Sequence, residues 1–83
     1  MTTYNVEVTD TFGGEANYCW VHRYSVRAST FTGAIRKVAR AEGWRFRCSG
    51  DFGDERQYDA RGACVRAFVN DDPDRADDRA VSL

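Results

Sequence analysis

The residue patterns predict an α+β domain of order ββαββ, with a four-stranded, mainly antiparallel sheet and one helix packed on one face. Three observations carry this. Thr32 to Gly43 is the segment with a helical period. The runs before and after it alternate apolar and polar residues, as half-buried strands do. Turn-forming residues fall between those runs.

In the first run, Thr3 to Thr9, Tyr4, Val6 and Val8 point one way and Thr3, Asn5, Glu7 and Thr9 the other. Asp10 to Asn17 reads as a loop, because Gly13, Gly14 and Asn17 tolerate turn conformations. Cys19 to Ala28 is a second strand, with His22, Tyr24, Val26 and Ala28 on one face and Arg23, Ser25 and Arg27 on the other. The two runs are expected to pair as an antiparallel hairpin with a long loop.

In the helix, Ile35, Val38 and Ala39 recur at i, i+3 and i+4, with Phe31 one turn earlier. That spacing makes one apolar stripe. Thr32 is expected to cap the start, since its hydroxyl can accept from free backbone N–H groups of the first turn. Gly43 is expected to end the helix in a left-handed conformation. Beyond it, Trp44, Phe46 and Cys48 alternate with Arg45 and Arg47. Ser49 to Arg56 reads as a second hairpin loop, and Tyr58 to Val69 as the longest strand, with Gly62 marking a bulge or close backbone approach.

Residues 1–69 thus form one domain. Residues 70–83, NDDPDRADDRAVSL, form an acidic tail, either disordered or carrying a short helix started by Asp72 and Pro73. Net charge over the 83 residues is −1, which predicts no general attraction to nucleic acid or anionic lipid. The charge is uneven, +3 over residues 1–50 and −4 over 51–83. Such asymmetry marks either a binding surface or a solvated acidic tail. No apolar run approaches the roughly 20 residues of a membrane helix. Met1-Thr2-Thr3-Tyr4 lacks the basic and apolar regions of a signal peptide, so a cytoplasmic protein is expected. Three cysteines, Cys19, Cys48 and Cys64, fit a reducing compartment and read as buried free thiols.

Catalytic groups are sparse, and no enzyme is expected. The single histidine, His22, shares a face with Trp20 and Tyr24 and reads as a packing or surface-pairing residue. Cys19 and His22, three apart on a strand, face opposite sides and do not converge on a metal. Gly13-Gly14 has no helix start behind it to cradle a phosphate, so no cofactor is expected. The tripeptide Asp51-Phe52-Gly53 matches a kinase metal-binding motif by chance, because the chain has no room for the rest of a kinase.

Basic residues are the best physical lead. Arg36, Lys37 and Arg40 share the exposed helix face, and Arg45 and Arg47 follow on the next strand. Eleven of the twelve basic residues are arginine, the type that binds carboxylate or phosphate bidentately. Trp20 and Tyr24, on an open sheet face, would stack on bases as sheet-type RNA binders do. The glycine–aromatic motif of an RNA-recognition strand is absent, however, and the acidic second half opposes nucleic acid. The loops Asp10-Thr11-Phe12-Gly13-Gly14-Glu15 and Asp51-Phe52-Gly53-Asp54-Glu55 echo each other. Both would present a phenylalanine with carboxylates on one edge of the sheet, as interaction anchors or as lids folded back on the core.

The first hairpin, Tyr4 to Val21, resembles small uncharacterised proteins of bacteriophages and other bacterial mobile elements. Gly33-Ala34-Ile35-Arg36-Lys37-Val38 and Gly62-Ala63-Cys64-Val65 belong to the same pattern, so the resemblance covers most of residues 4–69. Chains of this size and origin include anti-CRISPR proteins, and this one looks like an inhibitor of a type I surveillance complex. The resemblance implies a protein partner, a subunit of the CRISPR effector complex, and stoichiometric blocking of target DNA. Two modes are open: an acidic patch of Asp51, Asp54, Glu55 and the tail mimicking DNA, or Arg36, Arg40 and exposed aromatics, Phe52 among them, as a hot spot. The alternative is a phage nucleic-acid-binding accessory protein that uses the basic helix face with Arg45 and Arg47.

Overall fold

The computed structural model describes all 83 residues. Its elements are β1 (Thr2–Asp10), β2 (Val21–Ala28), α1 (Phe31–Glu42), β3 (Phe46–Asp51), β4 (Glu55–Ala60), β5 (Val65–Asn70) and β6 (Val81–Ser82). Single 3-10 turns occupy Phe12–Gly14 and Pro73–Arg75. One sheet contains all six strands in the order β3-β4-β5-β1-β2-β6. Neighbours are antiparallel except β2 and β6, which run parallel. The fold is α+β as expected, but the sheet is six-stranded and mixed rather than four-stranded and antiparallel.

Two features of the chain account for the difference. The run Tyr58 to Val69 is two strands, not one, folded at Arg61–Cys64 where Gly62 adopts a φ of +75°. Only glycine enters that region without a steric penalty. The turn also switches parity. Tyr58 and Ala60 are buried before it, and Val65, Ala67 and Val69 after it. The second feature is the tail. Pro73–Arg75 turns once, with the Asp72 side chain accepting from Asp74 N at 2.9 Å, and Val81–Ser82 then adds to the β2 edge.

The first hairpin pairs as its alternation predicts, Val6 opposite Tyr24 and Tyr4 opposite Val26. β1 is central, with β5 on its other side pairing Val6 with Val69 and Val8 with Ala67. The buried residues of these strands meet Ala34, Ile35 and Val38 of α1 in one core on the helix face of the sheet. The three cysteines lie outside this core. All are exposed, so the expectation of buried thiols is wrong. Cys19 precedes β2, which starts at Val21, Cys64 sits in the β4–β5 turn, and Cys48 is on the outermost strand.

Helix α1 begins two residues earlier than the expected cap indicates. Thr30, not Thr32, is the cap: its backbone is extended and its hydroxyl accepts from Gly33 N at 3.0 Å. Gly43 ends the helix at φ +79°, donating from its N–H to Ala39 O at 2.8 Å. α1 carries the chain over one face from β2 to β3, and residues 71–80 carry it over the other face from β5 to β6. The crossovers travel in opposite directions on opposite faces, so they share one hand. No helix is long and apolar enough to cross a membrane.

Candidate functional site

The exposed side of α1 is set by its stripe. Once Ala34, Ile35 and Val38 turn to the sheet, Arg36, Lys37 and Arg40 must turn to solvent, and all three are exposed. No ion pair involves them. Lys37 Nζ donates to Arg27 O at 2.6 Å, which pins that ammonium to the end of β2. Arg36 and Arg40 stand one turn apart with free guanidinium groups. Arg45 follows the helix, and Arg61 of the β4–β5 turn is brought beside it by an Arg61 N–H to Arg45 O bond of 2.7 Å. Arg47 does not join them. It pairs in register with Asp59, and its neighbours Phe46 and Cys48 pair with the buried Ala60 and Tyr58, so Arg47 faces away from the helix.

The acidic residues gather at one end of the sheet. Asp54, Glu55, Asp71 and Asp72 line a shallow cleft of about 340 Å³ with Asn70, Pro73 and Arg75. Two of the carboxylates in the β3–β4 hairpin already have cationic neighbours, Asp51 with Arg56 at 3.4 Å and Glu55 with Arg75 at 3.6 Å. The Arg56 guanidinium also lies 4.9 Å over the Phe31 ring. Phe52 is 65% exposed, its ring lying over Gly50, where a Cβ would come within 2.9 Å of it. Phe12 is 79% exposed. The two phenylalanine loops do not share an edge. Asp10 pairs with Val65 at one end of the sheet, whereas Asp51 and Glu55 lie near Asn5 and Asn70 at the other.

Tyr24 lies on the helix side of β2, with Trp20 just before the strand against His22, so the two do not form the open-face stacking platform considered for them. Tyr24 OH and His22 Nδ1 both donate to Oε2 of Glu42, the latter at 2.9 Å, and the Trp20 and His22 rings are 5.0 Å apart. The Glu42 side chain is only 8% exposed. A carboxylate in the last turn meets the negative end of the helix dipole, so these two donors are what hold it there. Burial, then the hydrogen bond to Glu42 and its charge, push the Tyr24 hydroxyl up to about 12. Glu42, which the sequence reading did not single out, continues the stripe Phe31, Ile35, Val38 by a further turn. It ties the end of α1 to β2, so His22 does pair, as its position predicts.

Asp10 organises the β1–β2 loop. Its Oδ1 accepts from Cys19 N at 2.9 Å, and its backbone O accepts from Asn17 N at 3.1 Å. Burial works to raise its carboxyl, but the hydrogen bonds led by Cys19 N–H outweigh that and hold it below the usual carboxylate range. Its charge in turn raises the Cys19 thiol, with burial adding to the effect. No three His, Cys, Asp or Glu side chains converge in a metal-binding arrangement.

The open face of the sheet carries Phe68, which the sequence reading did not single out. Tyr18, at φ +54° in the β1–β2 loop, stacks against it with ring centroids 6.3 Å apart. Arg66 on the same face is held by Asp59 at 2.7 Å, and Arg23 lies between Glu7 and Asp77 at 3.5 Å each. No protein-family model matches the chain, and neither a curated protein nor a solved structure is significantly similar to it.

Proposed function

We propose that this chain is a stoichiometric binding protein of phage or mobile-element origin that inhibits a type I CRISPR surveillance complex by keeping target DNA off its site. The resemblance of residues 4–69 to such small proteins supplies the target class. The observation that carries the binding mode is the pair Arg36 and Arg40, exposed, unpaired with any carboxylate, and held on a helix fixed at both ends by Thr30 and Gly43. The capped helix fixes the backbone beneath both arginines, and each planar guanidinium offers a bidentate donor fork to an acidic protein surface. The acidic mode has less support, because Asp51 and Glu55 already face Arg56 and Arg75.

The test is capture of the tagged chain from a lysate that contains a type I effector complex, with and without nuclease. Stoichiometric effector subunits that survive nuclease are expected. The double variant Arg36→Ala/Arg40→Ala should capture them at least about tenfold less well, by the magnitude of interface hot spots. Loss in Asp51→Asn/Asp54→Asn/Glu55→Gln instead would move the contact to the acidic edge. The same free cationic groups, with Arg45 and Arg61 beside each other past the end of the helix, favour a second reading as a nucleic-acid-binding accessory protein. That reading requires direct DNA or RNA affinity falling steeply with salt, and capture abolished by nuclease.

A further inference from the structure

The largest cleft of the molecule, about 530 Å³, lies under residues 74–80 on the face away from the helix. It falls in the size range of small-molecule sites. Its floor carries Asn5 and Glu7 of β1, Arg23 of β2, and Phe68 and Asn70 of β5. Asn5 and Asn70 are directly opposite each other across the β1–β5 ladder. Asn5 Nδ2 donates to Asn70 Oδ1 at 2.9 Å and to Asp72 O at 2.7 Å, and Asp72 N donates to Asn70 Oδ1 at 3.1 Å. A backbone carbonyl only accepts and a backbone N–H only donates, so Asp72 fixes the orientation of both amides.

Two polar atoms are left over, Asn5 Oδ1 as an acceptor and Asn70 Nδ2 as a donor, neither with a partner in the molecule. Asn70 is 6% exposed, so its donor is held in place by the surrounding chain. Neither atom is sealed from solvent, so a ligand can reach both, and a free acceptor on one amide with a free donor on the other suits a ligand edge of the complementary order. Phe68, two residues before Asn70, supplies a ring on the same face, and Tyr18 braces it from outside the cleft lining. Glu7, Asp74, Asp77 and Asp78 line the cleft against Arg23, Arg75 and Arg79, a balance that disfavours a polyphosphate.

We propose that this cleft binds a planar heterocycle of the nucleobase class, its ring against Phe68 and its donor–acceptor edge on Asn5 Oδ1 and Asn70 Nδ2. The site is on the opposite face from Arg36 and Arg40 and stands independently of the function proposed above. A free nucleoside and an unpaired base of a single strand present the same chemistry, and the test separates them.

The experiment is a titration of the ¹⁵N-labelled full chain with adenosine, guanosine, cytidine and uridine, and in parallel with short single-stranded oligonucleotides. Saturable shifts of the Asn5 and Asn70 side-chain amide signals are expected. Tighter binding of the nucleoside assigns the free ligand, and tighter binding of the oligonucleotide assigns the strand. Absence of a saturable shift with every probe up to the millimolar range would overturn the proposal. Asn70→Asp keeps the acceptor that Asp72 N and Asn5 Nδ2 use and replaces the free donor with a charged acceptor. It should weaken binding about tenfold while the backbone signals of residues 72–80 stay in place. Undiminished affinity in that variant would also overturn the proposal. Should Asn70→Asp fail to fold, Phe68→Leu gives the second readout: the ligand-induced shifts should be lost, and their persistence counts against the site.

Discussion

Tyr24 shows how burial and one neighbouring carboxylate together change the titration of a hydroxyl. Burial first, then donation to Glu42, make the Tyr24 hydroxyl keep its proton more tightly in the folded chain than in the unfolded one, up to about 12 against an ordinary 10. A group whose folded pKa is raised contributes its full stabilisation below the unfolded pKa and loses it as pH climbs through the folded one. The melting temperature of the native chain should therefore fall between about pH 10 and pH 12 by more than that of Tyr24→Phe, which has no proton to release. Thermal melts of both chains across that range read the difference directly, and parallel curves would mean that folding does not raise the pKa of the hydroxyl. Little of this was legible in advance. A strand pattern places His22 and Tyr24 on one face, but the position of Glu42 opposite them depends on the angle at which α1 crosses β2.

Among the elements, the helix and the first hairpin were legible because each buries one face, and burial writes its period into the sequence. Val6, Val8 and Val26 are essentially without exposure, so their spacing leaves no second interpretation. The β4–β5 hairpin was hidden for the opposite reason. Two alternating strands of different parity abut at Arg61–Cys64, and read without a break they resemble one long strand. The informative signal was Gly62 together with the move of buried residues from Tyr58 and Ala60 to Val65 and Ala67. Gly62→Ala should cost about 1 kcal/mol in urea unfolding, since an alanine Cβ disfavours the left-handed region, although open space surrounds the position. Thr30→Ala should also cost about 1 kcal/mol through the lost bond to Gly33 N, whereas Thr32→Ala, at the position first read as the cap, should be close to neutral.

For the molecule as a whole, the charge asymmetry in the sequence becomes a division in space. Arg36, Lys37 and Arg40 lie on the helix side, and the carboxylates of residues 71–78 lie across the other face or at its end. The helix arginines were legible because an amphipathic period fixes which residues face out. The cleft was not, because it depends on where residues 71–80 cross, and their sparse apolar residues, Pro73, Ala76 and Ala80, show no period that marks the route. Arg36→Ala/Arg40→Ala should leave stability within about 0.5 kcal/mol of the native chain, as expected for unpaired surface side chains. Equilibrium unfolding of that variant separates a lost contact with a partner from a damaged fold.

The central place of β1 also has a consequence for how the chain reaches this state. Its first strand cannot be flanked on both sides until β5, the last long strand, has been made, since Val6 pairs with Val69 and Asn5 with Asn70. The β1–β2 hairpin and α1 form from neighbouring residues, but closing β1 against β5 joins the two ends of the chain and carries the entropy of a loop spanning most of its length. On a ribosome, the sheet stays in two halves until residue 70 has emerged. The late arrival of the acidic segment then has a use: the polar face is roofed only after its strands are already aligned.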